Sequence, residues 1–193
     1  MPADEQLQQL RGHLRQKAIL TTLHEGYPGH HLQFTHANRI PSKIRRLFGD
    51  NAFVEGWALY CEEMMCDLGY SDDPRVRLCQ LRDALWRAVR VIVDTGLHCR
   101  GMQPAEAIAQ LVDVAGLEPV NAETEVRRYT LTPTQPMTYT VGKLELQRLR
   151  ADVEKQRGAA FNLREFHNQL LSYGSIPVPL IRRQMLPETA ARA

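Results

Sequence analysis

Apolar residues recur along most of this chain at intervals of three and four, with polar residues filling the faces between them, which is the mark of amphipathic helices. The clearest case is 52–68, where Val54, Trp57, Ala58, Cys61, Met65 and Leu68 trace a wide apolar face. Pro74 opens the longest predicted helix, to about residue 95, with Leu78, Leu81, Leu85, Val89 and Ile92 as its expected buried stripe. The pattern also predicts a first helix over 5–26 that Pro28-Gly29 kinks or ends, a continuation over 30–39 to Pro41, and a short helix over 42–48. Gln103-Pro104 starts another helix, to about 114, and Asn121 is the expected cap of one reaching Tyr129. A loop with Pro133 and Pro136 precedes helices over 139–157 and 162–173, and Ile176-Pro177-Val178-Pro179 leads into a last short one. With no alternating strand pattern and no repeat, the expected fold is all-α, a single multi-helix domain over 1–193.

Composition narrows the picture without choosing a function. At 193 residues, 44% hydrophobic and 24% charged, the chain can bury one substantial core. A net charge of +2 gives no electrostatic case for nucleic acid. Arg39, Lys43, Arg45 and Arg46 cluster without interleaved aromatics and read as a solvated face. No segment approaches the ~18 apolar residues of a membrane span, and Met1-Pro2-Ala3-Asp4-Glu5 is too acidic and polar for a signal peptide. Cys61, Cys66, Cys79 and Cys99 form no Cys-x-x-Cys pair. They are expected as free thiols, which suits a cytoplasmic location and leaves a periplasmic or secreted one open.

Candidate chemistry concentrates in His24-Glu25-Gly26-Tyr27-Pro28-Gly29-His30-His31. Neutral imidazole is the commonest protein metal ligand, and zinc hydrolases keep a general base directly after the first ligand, so the run reads as half of a metal site. Its spacing is not that of His-Glu-x-x-His, because Pro28 stands four residues after His24. On a straight helix His30 would be rotated by roughly 120° from His24, and His31 would share its face about 10 Å along the axis. Pro28 cannot donate to the His24 carbonyl and Gly29 tolerates unusual backbone angles, so a kink or bulge in this metal-binding helix is expected to return His30 to His24. Glu55, at the border of the 52–68 apolar face, must be near the surface, paired with a cation or bound to a metal, since an unpaired buried carboxylate costs several kcal/mol. Its interval from His30 resembles that of zinc peptidases whose third ligand is a glutamate on the following helix.

His-Glu-x-x-Pro-Gly-His-His-Leu-Gln at 24–33, Phe-x-Glu-Gly-Trp-Ala-Leu-Tyr at 53–60, Tyr-x-x-Gly-Lys at 139–143 and Phe-Asn-Leu-Arg-Glu-Phe-His at 161–167 resemble the bacterial family catalogued as domain of unknown function 885. That family is regarded as related to zinc metallopeptidases with a His-Glu-x-x-His core and a downstream glutamate ligand. The resemblance implies a zinc-dependent hydrolase of peptides or small amides, with His24, His30 and Glu55 as ligands and Glu25 as the base activating a water. Manganese or cobalt are the expected substitutes for zinc. The residue after the second ligand histidine varies in the family, which favours His30 over His31. Family members are usually longer, with a large helical portion ahead of the motif, so this chain resembles their C-terminal catalytic half. That suggests an alternative: a catalytically incomplete metal-binding fragment, or a module that completes its cleft with an N-terminal partner segment or by homo-oligomerisation.

Further residues have two readings each. His98 closes the Pro74 helix, where an imidazolium is favoured by the dipole, and is either a cap or a catalytic group. Tyr139 could hydrogen-bond the oxyanion of a tetrahedral intermediate or simply pack. Glu62, two turns after Glu55, is a partner of the site or part of a surface salt bridge. His167, among Phe166, Leu170 and Leu171, reads as a structural histidine ahead of a metal ligand, and His13 and His36 read as solvent-facing.

Overall fold

The computed structural model describes residues 2–187, and among them every regular element is helical. The order is α1 (Ala3–Arg11), α2 (Arg15–Glu25), α3 (His30–Asn38), α4 (Lys43–Leu47), α5 (Asn51–Asp67), α6 (Pro74–Cys99), α7 (Pro104–Asp113), α8 (Pro119–Leu131), α9 (Gln135–Arg157), a 3₁₀ turn (Gly158–Ala160), α10 (Leu163–Ser172) and α11 (Val178–Met185). The starts are chemically marked. Asp50 accepts from Phe53 N at 2.9 Å, Asp73 from Arg75 N at 2.9 Å, and Asn162 from Glu165 N at 3.0 Å. None of the described helices is long and apolar enough to cross a membrane.

Several boundaries differ from the sequence expectation. The helix expected over 5–26 is two helices broken at Gly12–Leu14, where the poor helix former Gly12 caps α1. The chain between His24 and His30 is a full break, since α2 ends at Glu25 and α3 begins at His30. α8 starts at Pro119, ahead of Asn121, and α9 starts at Gln135, so Pro119 and Pro136 open helices in the first turn, where their missing N–H costs nothing. Tyr139 therefore lies one turn inside α9.

Two apolar clusters hold the helices together. Phe53, Trp57, Leu146, Leu149, Phe166 and Ile181 anchor the first, among α5, α9, α10 and α11; Val89, Val93, Leu111, Val126 and Tyr129 anchor the second, among α6, α7 and α8. α5 and α9 cross with their backbones in contact. A Cβ on Gly56 would sit 2.6 Å from Gly142 Cα and 2.7 Å from Lys143 N, and one on Gly142 would run into the Ala52 carbonyl oxygen. The four cysteines are free, as expected.

α6 reverses the expected orientation. Leu78, Leu81, Leu85 and Ile92 are 66%, 52%, 46% and 55% exposed, and of the expected stripe only Val89 is buried. Val76, Gln80, Asp83, Arg90 and Asp94 face inward instead. Their spacing with Arg87 is as helical as that of the leucines, so periodicity alone cannot say which face turns in. Partners decide: Asp83 meets Lys17 at 3.5 Å, and Arg90 donates to Tyr129 Oη at 2.7 Å and Glu125 at 3.2 Å.

His167 is structural, as expected. It meets Tyr60 Oη at 2.8 Å and packs edge-on against Trp57 with ring centroids 5.4 Å apart. Burial, reinforced by the nearby Arg150 guanidinium, lowers its pKa from 6.5 to about 4. His13 is exposed, while His36 is half-buried and lines a groove with Tyr27 and Leu32 rather than facing solvent freely.

Two outcomes follow from these contacts. Gly142→Ala and Gly56→Ala must push two backbones apart, so each is expected to cost at least the ~1–3 kcal/mol typical of overpacking, measured by urea denaturation. Unchanged midpoints would mean that the helices do not cross this closely. Because folded His167 resists protonation while the unfolded chain accepts it below pH ~6.5, wild type should lose stability as pH falls from 6.5 towards 4, by on the order of 1–3 kcal/mol. In His167→Gln that part of the loss should vanish, and identical pH profiles for the two proteins would contradict it.

Candidate metal centre

Four helices and one turn build the site. α2 ends on His24 and Glu25, Gly26–Gly29 reverse the chain, and α3 begins on His30. The turn is held from α5: Trp57 Nε1 donates to the Pro28 carbonyl at 3.0 Å and the Cys61 thiol approaches it at 3.6 Å. A Cβ on Gly29 would collide with the carbonyl oxygens of His24 and Leu23, so this turn is closed to any other residue without rearrangement.

The reversal stacks the His24 and His30 rings edge to face, with centroids 4.7 Å apart. Glu55 Oε2, from α5, lies 3.7 Å from His24 Nε2 and 3.4 Å from His30 Nε2. One ligand atom from each of the three lies within 4.8 Å of the others, an arrangement that could hold a metal ion. Ligands about 2.0–2.1 Å from a tetrahedral ion stand ~3.3 Å apart, so the separations to Glu55 suit a shared ion with little adjustment. His31 is exposed and outside the group.

Glu62, one of the two readings left open by sequence, is buried and takes the other side of the His24 ring. Its Oε1 lies 2.7 Å from His24 Nδ1, which leaves Nε2 turned towards Glu55 and His30. Burial alone would lower the His24 pKa, but the carboxylates of Glu55 and Glu62 outweigh it and raise it from 6.5 to about 9. Burial likewise opposes ionisation of Glu55, and hydrogen bonding to His24 and His30 reverses this, bringing its pKa to about 2. His30 Nδ1 is buried and has no hydrogen-bond partner among the described residues.

Tyr139, from α9, stacks on His24 with centroids 6.3 Å apart and 23° between planes. Gln135 donates to its hydroxyl at 3.3 Å. Burial and the Glu55 charge raise its pKa, which keeps it a phenol and hence a donor. Glu25 lines, with His24 and Tyr139, a cavity of about 250 Å³. His98 lies elsewhere: its Nε2 donates to the Tyr129 carbonyl at 3.1 Å and stands 3.6 Å from Asp94, and it does not line this cavity. His98 thus bonds a carbonyl in the last turn of α8 rather than capping its own helix, α6.

Sequence reasoning missed the α6 wall of the cavity, formed by Asp83, Trp86, Arg87 and Arg90. The signal was the line Asp83, Arg87, Arg90 and Asp94 at four- and three-residue spacing, hidden because ionic residues at that spacing usually mark a solvated face.

Among known proteins, the family described as "Bacterial protein of unknown function (DUF885)" matches residues 6–185. Two solved structures, each described as a "putative lipoprotein", share the fold. The one from Shewanella oneidensis has a TM-score of 0.88 and 36% identity over 96% of this chain and 34% of its own. The one from Colwellia psychrerythraea has a TM-score of 0.83 and 36% identity over 86% of this chain and 29% of its own. This chain thus spans roughly a third of the length of either relative. No curated protein matches it. With the family match covering nearly the whole chain, this protein belongs to the DUF885 family of bacterial proteins of unknown function.

Proposed function

We propose that this protein is a zinc-dependent hydrolase of peptide or small amide bonds. The convergence of His24 Nε2, His30 Nε2 and Glu55 Oε2, with Glu62 behind His24, is the observation that carries the reading. Two imidazoles and one carboxylate suit zinc, with manganese or cobalt as substitutes. A zinc ion held there would supply Lewis acidity and a lowered water pKa. Glu25, on the cavity wall beside His24, takes the proton of the attacking water and returns it to the leaving amine. The Tyr139 phenol donates to the oxyanion, and Glu62 keeps the His24 ring oriented. The lipoprotein description of the two solved relatives favours the cell envelope over the cytoplasm as the place of action.

In purified protein, His24→Ala and Glu55→Ala are expected to lose the metal, measured by elemental analysis, whereas Glu25→Gln should retain it and lose at least ~10²-fold in hydrolysis. Stoichiometric zinc in both ligand variants would remove the assignment.

The exposed leucine stripe of α6 favours a second reading, compatible with the first, in which this module covers that face by self-association. Mass in solution should rise with concentration, and Leu81→Lys with Leu85→Lys should hold the protein monomeric. A wild type that stays monomeric at high concentration would exclude this.

A further inference from the structure

The cavity beside the cluster is lined by a half-buried guanidinium, Arg87, that is only loosely paired. Arg87 donates from Nη1 to the Asp83 carbonyl at 3.3 Å, and its two ion pairs are long, with Asp83 at 3.4 Å and Glu62 at 3.7 Å. Its Nε is buried with no partner among the described residues. A guanidinium placed only to neutralise carboxylates closes on them in a fork, as Arg75 does on Asp73, with Nε and Nη2 each 2.8 Å from an oxygen. Arg87 instead makes one long contact with each of Asp83 and Glu62 while lining the same cavity as His24, Glu25 and Tyr139. A buried donor left this way is expensive unless something completes it.

We infer that Arg87 receives the free C-terminal carboxylate of a short peptide whose last residues occupy this cavity, which makes the site selective for peptide acids over peptide amides. The inference rests on the hydrolase reading and names its substrate class. Arg87 Nη2 and His24 Nδ1 both approach Glu62 Oε1, at 3.7 Å and 2.7 Å, so the guanidinium and the cluster adjoin the same carboxyl oxygen and are only a short separation apart. At roughly 3.5 Å per extended residue, one or two residues bridge that separation. The cavity of about 250 Å³ has room for a terminal residue but not a folded chain. Arg90, whose guanidinium lies 4.9 Å from the Tyr139 ring centroid, adds positive potential but is already tied to Tyr129 and Glu125. Lys17, Thr21 and Trp86 are shared with an adjoining open groove of about 740 Å³ among α1, α2, α6 and α8.

The test uses N-acetylated di- and tripeptides, each as the free acid and as the C-terminal amide. Binding to the zinc-loaded Glu25→Gln chain is measured by calorimetry, and hydrolysis by the zinc-loaded wild type. Acids are expected to bind, and to be turned over, at least tenfold better than their amides. Arg87→Gln should reduce that ratio to about twofold while retaining stoichiometric zinc. Arg87→Lys, which keeps the charge and loses the fork, should fall between and guards against a folding defect in the glutamine variant. A zinc-loaded protein that treats acids and amides alike, or a preference that survives Arg87→Gln, overturns the inference and leaves the hydrolase reading intact. A wild type that binds no zinc overturns the hydrolase reading itself.

Discussion

The contact between Gly56 and Gly142 is the constraint on which the rest of the site depends. Only two residues without side chains let α5 and α9 touch backbone to backbone, and the site is hung from both helices at that crossing. Glu55 immediately precedes Gly56, and Tyr139 sits one turn before Gly142, so the carboxylate and the phenol are placed by the same contact. α5 then reaches outward with two more tethers. Trp57 fixes the Pro28 carbonyl, and with it the turn between His24 and His30, while Glu62 fixes the far side of the His24 ring. Widening the crossing by one methyl would move Tyr139 away from Glu55 and from the histidines that α5 holds.

Around that crossing the protein gives up apolar packing for buried charge. The inward line of α6 carries Gln80, Asp83, Arg90 and Asp94, and its leucines are turned to the surface. Buried ion pairs seldom add net stability, because desolvation offsets much of the attraction. The apolar clusters on either side of this seam must supply the stabilisation. The polar seam supplies positioning: each cation has an assigned carboxylate or phenol, with Arg87 the loosest held among them.

Much of this was legible in sequence. The helical periodicity and the starts at Pro74 and Pro104 gave the all-α architecture, because a proline in the first turn acts locally and needs no tertiary partner. The three candidate ligands were also legible, since a dense His-Glu run and a carboxylate on an apolar helix border both demand an explanation. The orientation of α6 was not. Its leucine line and its ionic line are equally periodic, and the choice depends on Lys17, Tyr129 and Glu125 being near enough to satisfy the ionic one. The break at Gly12 was missed for a related reason: a single glycine costs only ~1 kcal/mol in a helix, and α1 leaves the line of α2 to pack on α8, a long-range contact.

The unusual ligand spacing then has a simple geometric meaning. Six residues of straight helix would separate His24 and His30 by ~9 Å along the axis and rotate them apart. Two histidines four apart avoid this by sharing a helix face. This chain avoids it by ending the helix at Glu25 and starting another at His30, so that the rings come from two elements and meet at 4.7 Å. A turn is less rigid than a helix face, and the structure compensates from outside. The Gly29 backbone is packed against the carbonyls of Leu23 and His24, the Trp57 indole holds Pro28, and Glu62 holds the His24 ring. The cluster therefore takes its precision from α5 rather than from the segment that carries the histidines.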